Sequence, residues 1–118
     1  MAHKPPNNYK RGTAIEYRIK TMLELKGWFV VRSAGSKGVL DLIAVNKKGE
    51  IFALQAKRTK AKTIPWSSYK EEILVLEEFA REFGSPKMKV EFWVWKDRQG
   101  WTTHVIKPID GEVQEFDK

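Results

Sequence analysis

A chain of 118 residues has room for one domain, which would bury roughly two-thirds of its unfolded surface, and no room for a second. Lysine and arginine number 22 against 15 aspartate and glutamate, a formal charge of +7 that favours a polyanionic partner, nucleic acid first among them. The lack of cysteine excludes disulfides and thiolate metal sites, two histidines argue against zinc, and the absence of an apolar leader or an eighteen-residue apolar run predicts no membrane span and a cytoplasmic protein.

In chain order, residues 1–10 (MAHKPPNNYK) are polar, carry Pro5-Pro6 and read as a flexible basic arm. From Thr13 the apolar positions Ile15, Ile19, Met22 and Leu23 recur at helical spacing and Gly27 supplies a stop, which predicts a helix over about 13–26. The aromatic and β-branched run Trp28-Phe29-Val30-Val31-Arg32 predicts a strand, and the Ser-Ala-Gly-Ser-Lys-Gly segment after it a loop. Two short apolar strands follow, Val39–Val45 and Ile51–Ala56, joined by the Asn46-Lys47-Lys48-Gly49 turn into an antiparallel meander. Asp41 stands inside the first of them, where a carboxylate is costly to desolvate without a cationic partner.

The basic segment Arg58–Thr63 lacks apolar period and reads as an exposed, mobile connection. Ser68 and Glu71 have capping-box spacing, and Ile73, Leu76, Phe79, Ala80 and Phe83 form an apolar stripe, so a second helix is expected over about 68–83. Two more strands, Val90–Trp95 and Trp101–Ile106, flank a hairpin signal at Asp97-Arg98-Gln99-Gly100. In the first of these, Phe92 and Val94 lie on one face and Trp93 and Trp95 on the other, so the strand is either sandwiched between helices or part of a subunit interface. The order α-β-β-β-α-β-β implies an α/β (α+β) fold with one mixed central sheet flanked by helices.

An Asp in one strand, followed fourteen residues later by Gln55-Ala56-Lys57 ending the next, resembles the PD-(D/E)xK nuclease core, whose fold is restriction-endonuclease-like. Upstream, Arg11, Gly12, Ala14 and Glu16 open the helix, and Arg32-Ser33-Ala34-Gly35-Ser36-Lys37 precedes Asp41. That combination resembles the archaeal-type Holliday junction resolvases over about Arg11–Pro108, with residues 11–108 as the nuclease domain and 109–118 as a C-terminal tail.

The resemblance implies a metal-dependent endonuclease that resolves four-way DNA junctions by paired nicks, acting as a homodimer. Glu16, Asp41, Gln55 and Lys57 are its expected catalytic residues, with Asp41, Gln55 and Glu16 as metal ligands. Oxygen donors without sulfur suit magnesium, with manganese as a substitute. Gln55 and Lys57 point the same way because strand side chains alternate, and Lys57 would stabilise the attacking hydroxide or the scissile phosphate. Arg32, Ser33, Ser36 and Lys37 in the loop, with Lys10, Arg11, Arg58, Lys60 and Lys62, are the expected DNA contacts.

Two residues depart from the family pattern. Gln55 stands where most members carry Glu, removing one negative charge from the metal site, and Tyr17 stands where Arg follows the helical Glu. The alternatives are a related nuclease acting on flaps or duplex, and a non-catalytic junction-binding protein whose site has decayed at Gln55. The aromatic strand 92–95 and Trp101, with Phe79 and Phe83 behind, are the expected dimer surface.

Overall fold

Ile15, Ile19 and Leu23 recur every four residues and form the buried stripe of the first helix, α1 (Asn7–Leu25). The computed structural model, which describes residues 7–33 and 39–106, starts α1 at Asn7 rather than near 13, so residues 7–10 of the expected arm are helical. Pro5-Pro6 stand just ahead, and from Asn7 onward no proline removes a helix N–H. The stop is as expected: Gly27 takes φ +96°, its N–H bonds Glu24 O at 3.0 Å, and Trp28 N–H returns to Leu23 O at 3.1 Å.

The chain then runs β1 (Phe29–Arg32), β2 (Leu42–Val45), β3 (Ile51–Thr59), a 3₁₀ turn η1 (Trp66–Tyr69), α2 (Lys70–Phe83), β4 (Met88–Lys96) and β5 (Gly100–Ile106). The expected element order is met. One five-stranded sheet has the order β1-β2-β3-β4-β5, antiparallel except for β3 and β4, which lie parallel because α2 carries the chain back between them.

Asn46 shapes the β2–β3 turn: its Oδ1 accepts from the N–H groups of Lys48 and Glu50, both at 3.0 Å, and Gly49 adopts φ +78°. That turn sets the register Leu42↔Leu54, on which the site depends.

α1 covers one face of the sheet, with Ile15, Ile19 and Leu23 packed on Trp28, Val30, Leu42, Phe52, Leu54 and Trp93. α2 covers the other face over its β4–β5 half, with Leu76 and Ala80 on Ala53, Val90, Phe92, Val94 and Ile106. The two-sided strand is therefore sandwiched. Phe92 and Val94 face α2 and Trp93 faces α1, so these three are core, while Trp95 and Trp101 pack half-buried on the α1-side core. Burying all of Leu76 and Phe92 contributes roughly 1.5–3 kcal/mol per side chain.

Three local expectations are corrected. β2 begins at Leu42, so Asp41 stands at the bend before the strand and not inside it. β3 continues through Thr59, so Arg58 and Thr59 belong to the strand rather than to a mobile connection, because pairing with β4 extends to Thr59↔Lys96. Ser68 makes no capping hydrogen bond: it lies within η1, its N–H bonds Pro65 O at 2.9 Å, and Tyr69 occupies the N-cap position of α2.

α2 does not reach over β1 and β2. Their faces on that side carry Phe29, Val31, Ile43 and Val45, all exposed, with Phe29 at 71%. Phe83, expected to be buried, is 59% exposed beside this bare sheet face.

Candidate active site

The bend before β2 holds Asp41 by three hydrogen bonds. Its N–H donates to Leu54 O at 2.9 Å, its carbonyl accepts from Ser33 N–H at 2.8 Å, and its Oδ2 accepts from Ala56 N–H at 2.8 Å. The first two tie the end of β1 and the middle of β3 to the residue's backbone, and the third aims the carboxylate across β3. Continuing the register Leu42↔Leu54 by one step places Asp41 beside Gln55. Gln55 and Lys57 are paired with Phe92 and Val94 on β4, so both project on the α2 side, as alternation requires.

Glu16 approaches from α1. Its Oε1 accepts from Arg32 Nη1 at 3.0 Å, and the guanidinium carbon of Arg32 lies 4.6 Å from the centre of the Tyr17 ring. Arg32 is thus gripped between a carboxylate and an aromatic face, and its pKa rises, chiefly through the Glu16 hydrogen bond. Tyr17 was legible in the sequence only as a departure from the family pattern; in the fold it is the platform for Arg32.

Burial raises the Asp41 pKa above the usual carboxylate value; the Ala56 N–H opposes this, as do the nearby charges of Lys57 and Arg32. Burial likewise raises Glu16, with the Arg32 hydrogen bond opposing, the Asp41 charge adding and Lys57 opposing. Glu16, Asp41, Arg32 and Lys57 therefore share one electrostatic neighbourhood at the start of β2 and the second half of β3, where the register also places Gln55.

Among the described residues, no group of three or more His, Cys, Asp or Glu side chains converges as a metal cage. The donors available are two carboxylates, one amide oxygen and backbone carbonyls, all hard oxygens. That set fits a cation that keeps several waters and takes one or two carboxylates, as magnesium does.

The expected DNA contacts divide. Arg32 is paired with Glu16, and Ser33 uses its backbone N–H on Asp41. Arg58 is pinned by a 2.8 Å ion pair from its Nε to Asp97 Oδ1, which ties the end of β3 to the β4–β5 turn. Lys60 and Lys62 are exposed on the segment between β3 and η1. Lys10 and Arg11 lie on α1, and Ser36 and Lys37 lie outside the described residues. Trp66, not singled out in the sequence, is exposed at the start of η1 and packs against Phe92 and His104.

The family model of the archaeal Holliday junction resolvases matches residues 7–115. The chain belongs to that family. The crossover junction endodeoxyribonuclease Hjc of Methanocaldococcus jannaschii is 42% identical over 93 residues, covering 78% of this chain; the chain spans 64% of that relative's length. The Holliday junction resolvase Hjc of Archaeoglobus fulgidus superposes with a TM-score of 0.60 at 23% identity, over 81% of this chain and 73% of its own, which supports the restriction-endonuclease-like fold. A repair endonuclease from Pyrococcus abyssi aligns with a TM-score of 0.43 at 19% identity over 85% of this chain and 42% of its own, too remote to bear on the fold. No described helix is long and apolar enough to cross a membrane.

Proposed function

We propose that this chain is a metal-dependent endonuclease that resolves four-way DNA junctions by paired nicks and works as a homodimer. The observation that carries the chemistry is Asp41, held by the Ala56 N–H at 2.8 Å beside Gln55, with Lys57 and Glu16 in electrostatic reach. Family membership supplies the substrate class.

Asp41, Gln55 and the Ala56 carbonyl would hold a magnesium or manganese ion, with Glu16 at its margin. When bound, such an ion supplies Lewis acidity and neutralises charge on the phosphodiester. The chain's own residues orient and protect that arrangement. Ala56 N–H fixes the carboxylate of Asp41, and Lys57, on the same side as Gln55, offers an ammonium to the scissile phosphate or the attacking hydroxide. Arg32, gripped by Glu16 in the free protein, has its guanidinium beside the carboxylates, where a phosphate of the substrate can compete for it.

The dimer reading rests on the uncovered sheet face, where Phe29, Val31, Ile43 and Val45 are exposed and Phe79 and Phe83 line one side of an open hollow of about 550 Å³. Asp41 lies on the rim of the same hollow. A second copy docked there by a twofold axis would bury the face isologously and set two sites on one side of the pair, as two nicks in one junction require.

A cleavage panel tests the proposal: a four-way junction, a flap and linear duplex of equal length, each with magnesium. Symmetric nicking of the junction alone is expected. Preference for flap or duplex would overturn the junction assignment, and binding without cutting would make the protein a junction binder.

A further inference from the structure

Across β3, β4 and β5 the register sets Gln55, Phe92 and His104 in one row, and side chains at paired positions share a face. At the usual spacing of ~4.8 Å between strands, His104 stands about 10 Å from Gln55 on the side toward which Gln55 and Lys57 project. Above that row lies the indole of Trp66, its centre 5.6 Å from the His104 ring and 6.5 Å from the Phe92 ring. Tyr69 packs on Phe92 from the same turn at 5.2 Å.

Trp66 is 38% exposed, while the other indoles are buried or half-buried. It follows the segment bearing Lys60 and Lys62, both exposed, and His104 beside it is exposed as well. A core lid needs neither an open aromatic face nor exposed lysines on the segment leading into it. Aromatic faces flanked by cations are how proteins hold unpaired bases: the ring stacks on the base while the ammonium groups track its phosphates.

The geometry points to Trp66, supported by His104, as a stacking platform for one unstacked nucleobase of the bound DNA, lying next to the branch point. The inference rests on the junction-cleaving reading above and adds a contact to it. At a rise of ~3.4 Å per stacked nucleotide, 10 Å from Gln55 corresponds to a base about three nucleotides or fewer from the scissile phosphate. Lys60 and Lys62, exposed on the segment that leads into Trp66, would pair with phosphates of the same strand. A Watson–Crick pair inside a duplex offers no free face, so the platform adds affinity for branched over linear DNA.

The test uses the full chain without magnesium and a four-way junction carrying 2-aminopurine at successive positions from the branch point, with linear duplex as reference. Trp66→Leu keeps an apolar cover over Phe92 and removes the aromatic face, Trp66→Phe keeps a smaller face, and thermal unfolding monitors the fold. We expect wild type to change 2-aminopurine fluorescence at one to three positions. Trp66→Leu should lose that signal and weaken junction binding roughly ten-fold or more while duplex binding holds, and Trp66→Phe should restore part of both. Equal loss of junction and duplex affinity, or unchanged affinity and fluorescence with Trp66→Leu, would overturn the platform while wild-type junction cleavage stands. Failure of wild type to bind or cut the junction would overturn the functional reading, and the platform with it.

Discussion

The role proposed for Asp41 puts a partly buried carboxylate in the fold, and its effect on stability can be measured. Its carboxylate is partly buried and burial raises its pKa, so the ionised form is held against its own solvation preference. Because the folded-state pKa lies above the unfolded value, the folded protein holds the proton more tightly. The stability this contributes is fully present below the unfolded pKa and is lost as pH rises through the folded one. Asp41→Asn removes the charge yet keeps an oxygen for the Ala56 N–H, which donates at 2.8 Å. Asp41→Ala removes both. Ala56 is buried, so its orphaned N–H costs about 1–3 kcal/mol, or roughly 4–12 °C in Tm for a domain of this size. In metal-free buffer, Asp41→Asn is therefore expected to melt at or above wild type at pH 7.5, with its advantage shrinking as pH falls toward the unfolded aspartate value, while Asp41→Ala melts well below both. Thermal unfolding from pH 4 to pH 8 checks the order, and junction cleavage with magnesium should be absent in both variants. If Asn destabilised as much as Ala at pH 7.5, the carboxylate's charge would be the stabilising element, through Lys57 and Arg32, and the burial argument would fail.

Gln55→Glu restores a full charge beside Asp41 at nearly the same reach, so cleavage should saturate at lower magnesium, whereas Gln55→Ala should need more; three superimposable magnesium titrations would remove Gln55 from the metal site. Lys57→Ala should lower turnover at least 100-fold with little change in junction affinity, a split read from single-turnover cleavage against binding. Arg32→Ala should weaken junction binding and lower the log–log salt slope by about one, while Tyr17→Ala, which leaves the ion pair to Glu16, should have the smaller effect; an unchanged slope for Arg32→Ala would confine that residue to orienting Glu16. Phe83→Glu on the uncovered face should yield a monomer by light scattering with its Tm within a few degrees of wild type, since Phe83 is 59% exposed; a dimer unaffected by that change and by Ile43→Asp would move the interface elsewhere.

The element order, both helix stripes, the turn at Asn46–Gly49 and the shared projection of Gln55 and Lys57 were legible in the chain itself, because each depends on residues within a few positions of one another. The expectation of oxygen donors came from composition, since cysteine is absent and only two histidines are present. What the tertiary structure decided lies between elements. Arg32 reaches Glu16 across sixteen positions, and Ala56 supplies Asp41 with an N–H, a contact set by β2–β3 register. Trp93 reads as a subunit-interface residue until α1 is seen to cover its face, and Phe83 reads as core until α2 is seen to stop short of β1 and β2. Periodicity says that a side chain has an apolar face to bury; which neighbour covers it depends on helix placement over a finite sheet, and that is settled only when the whole chain packs.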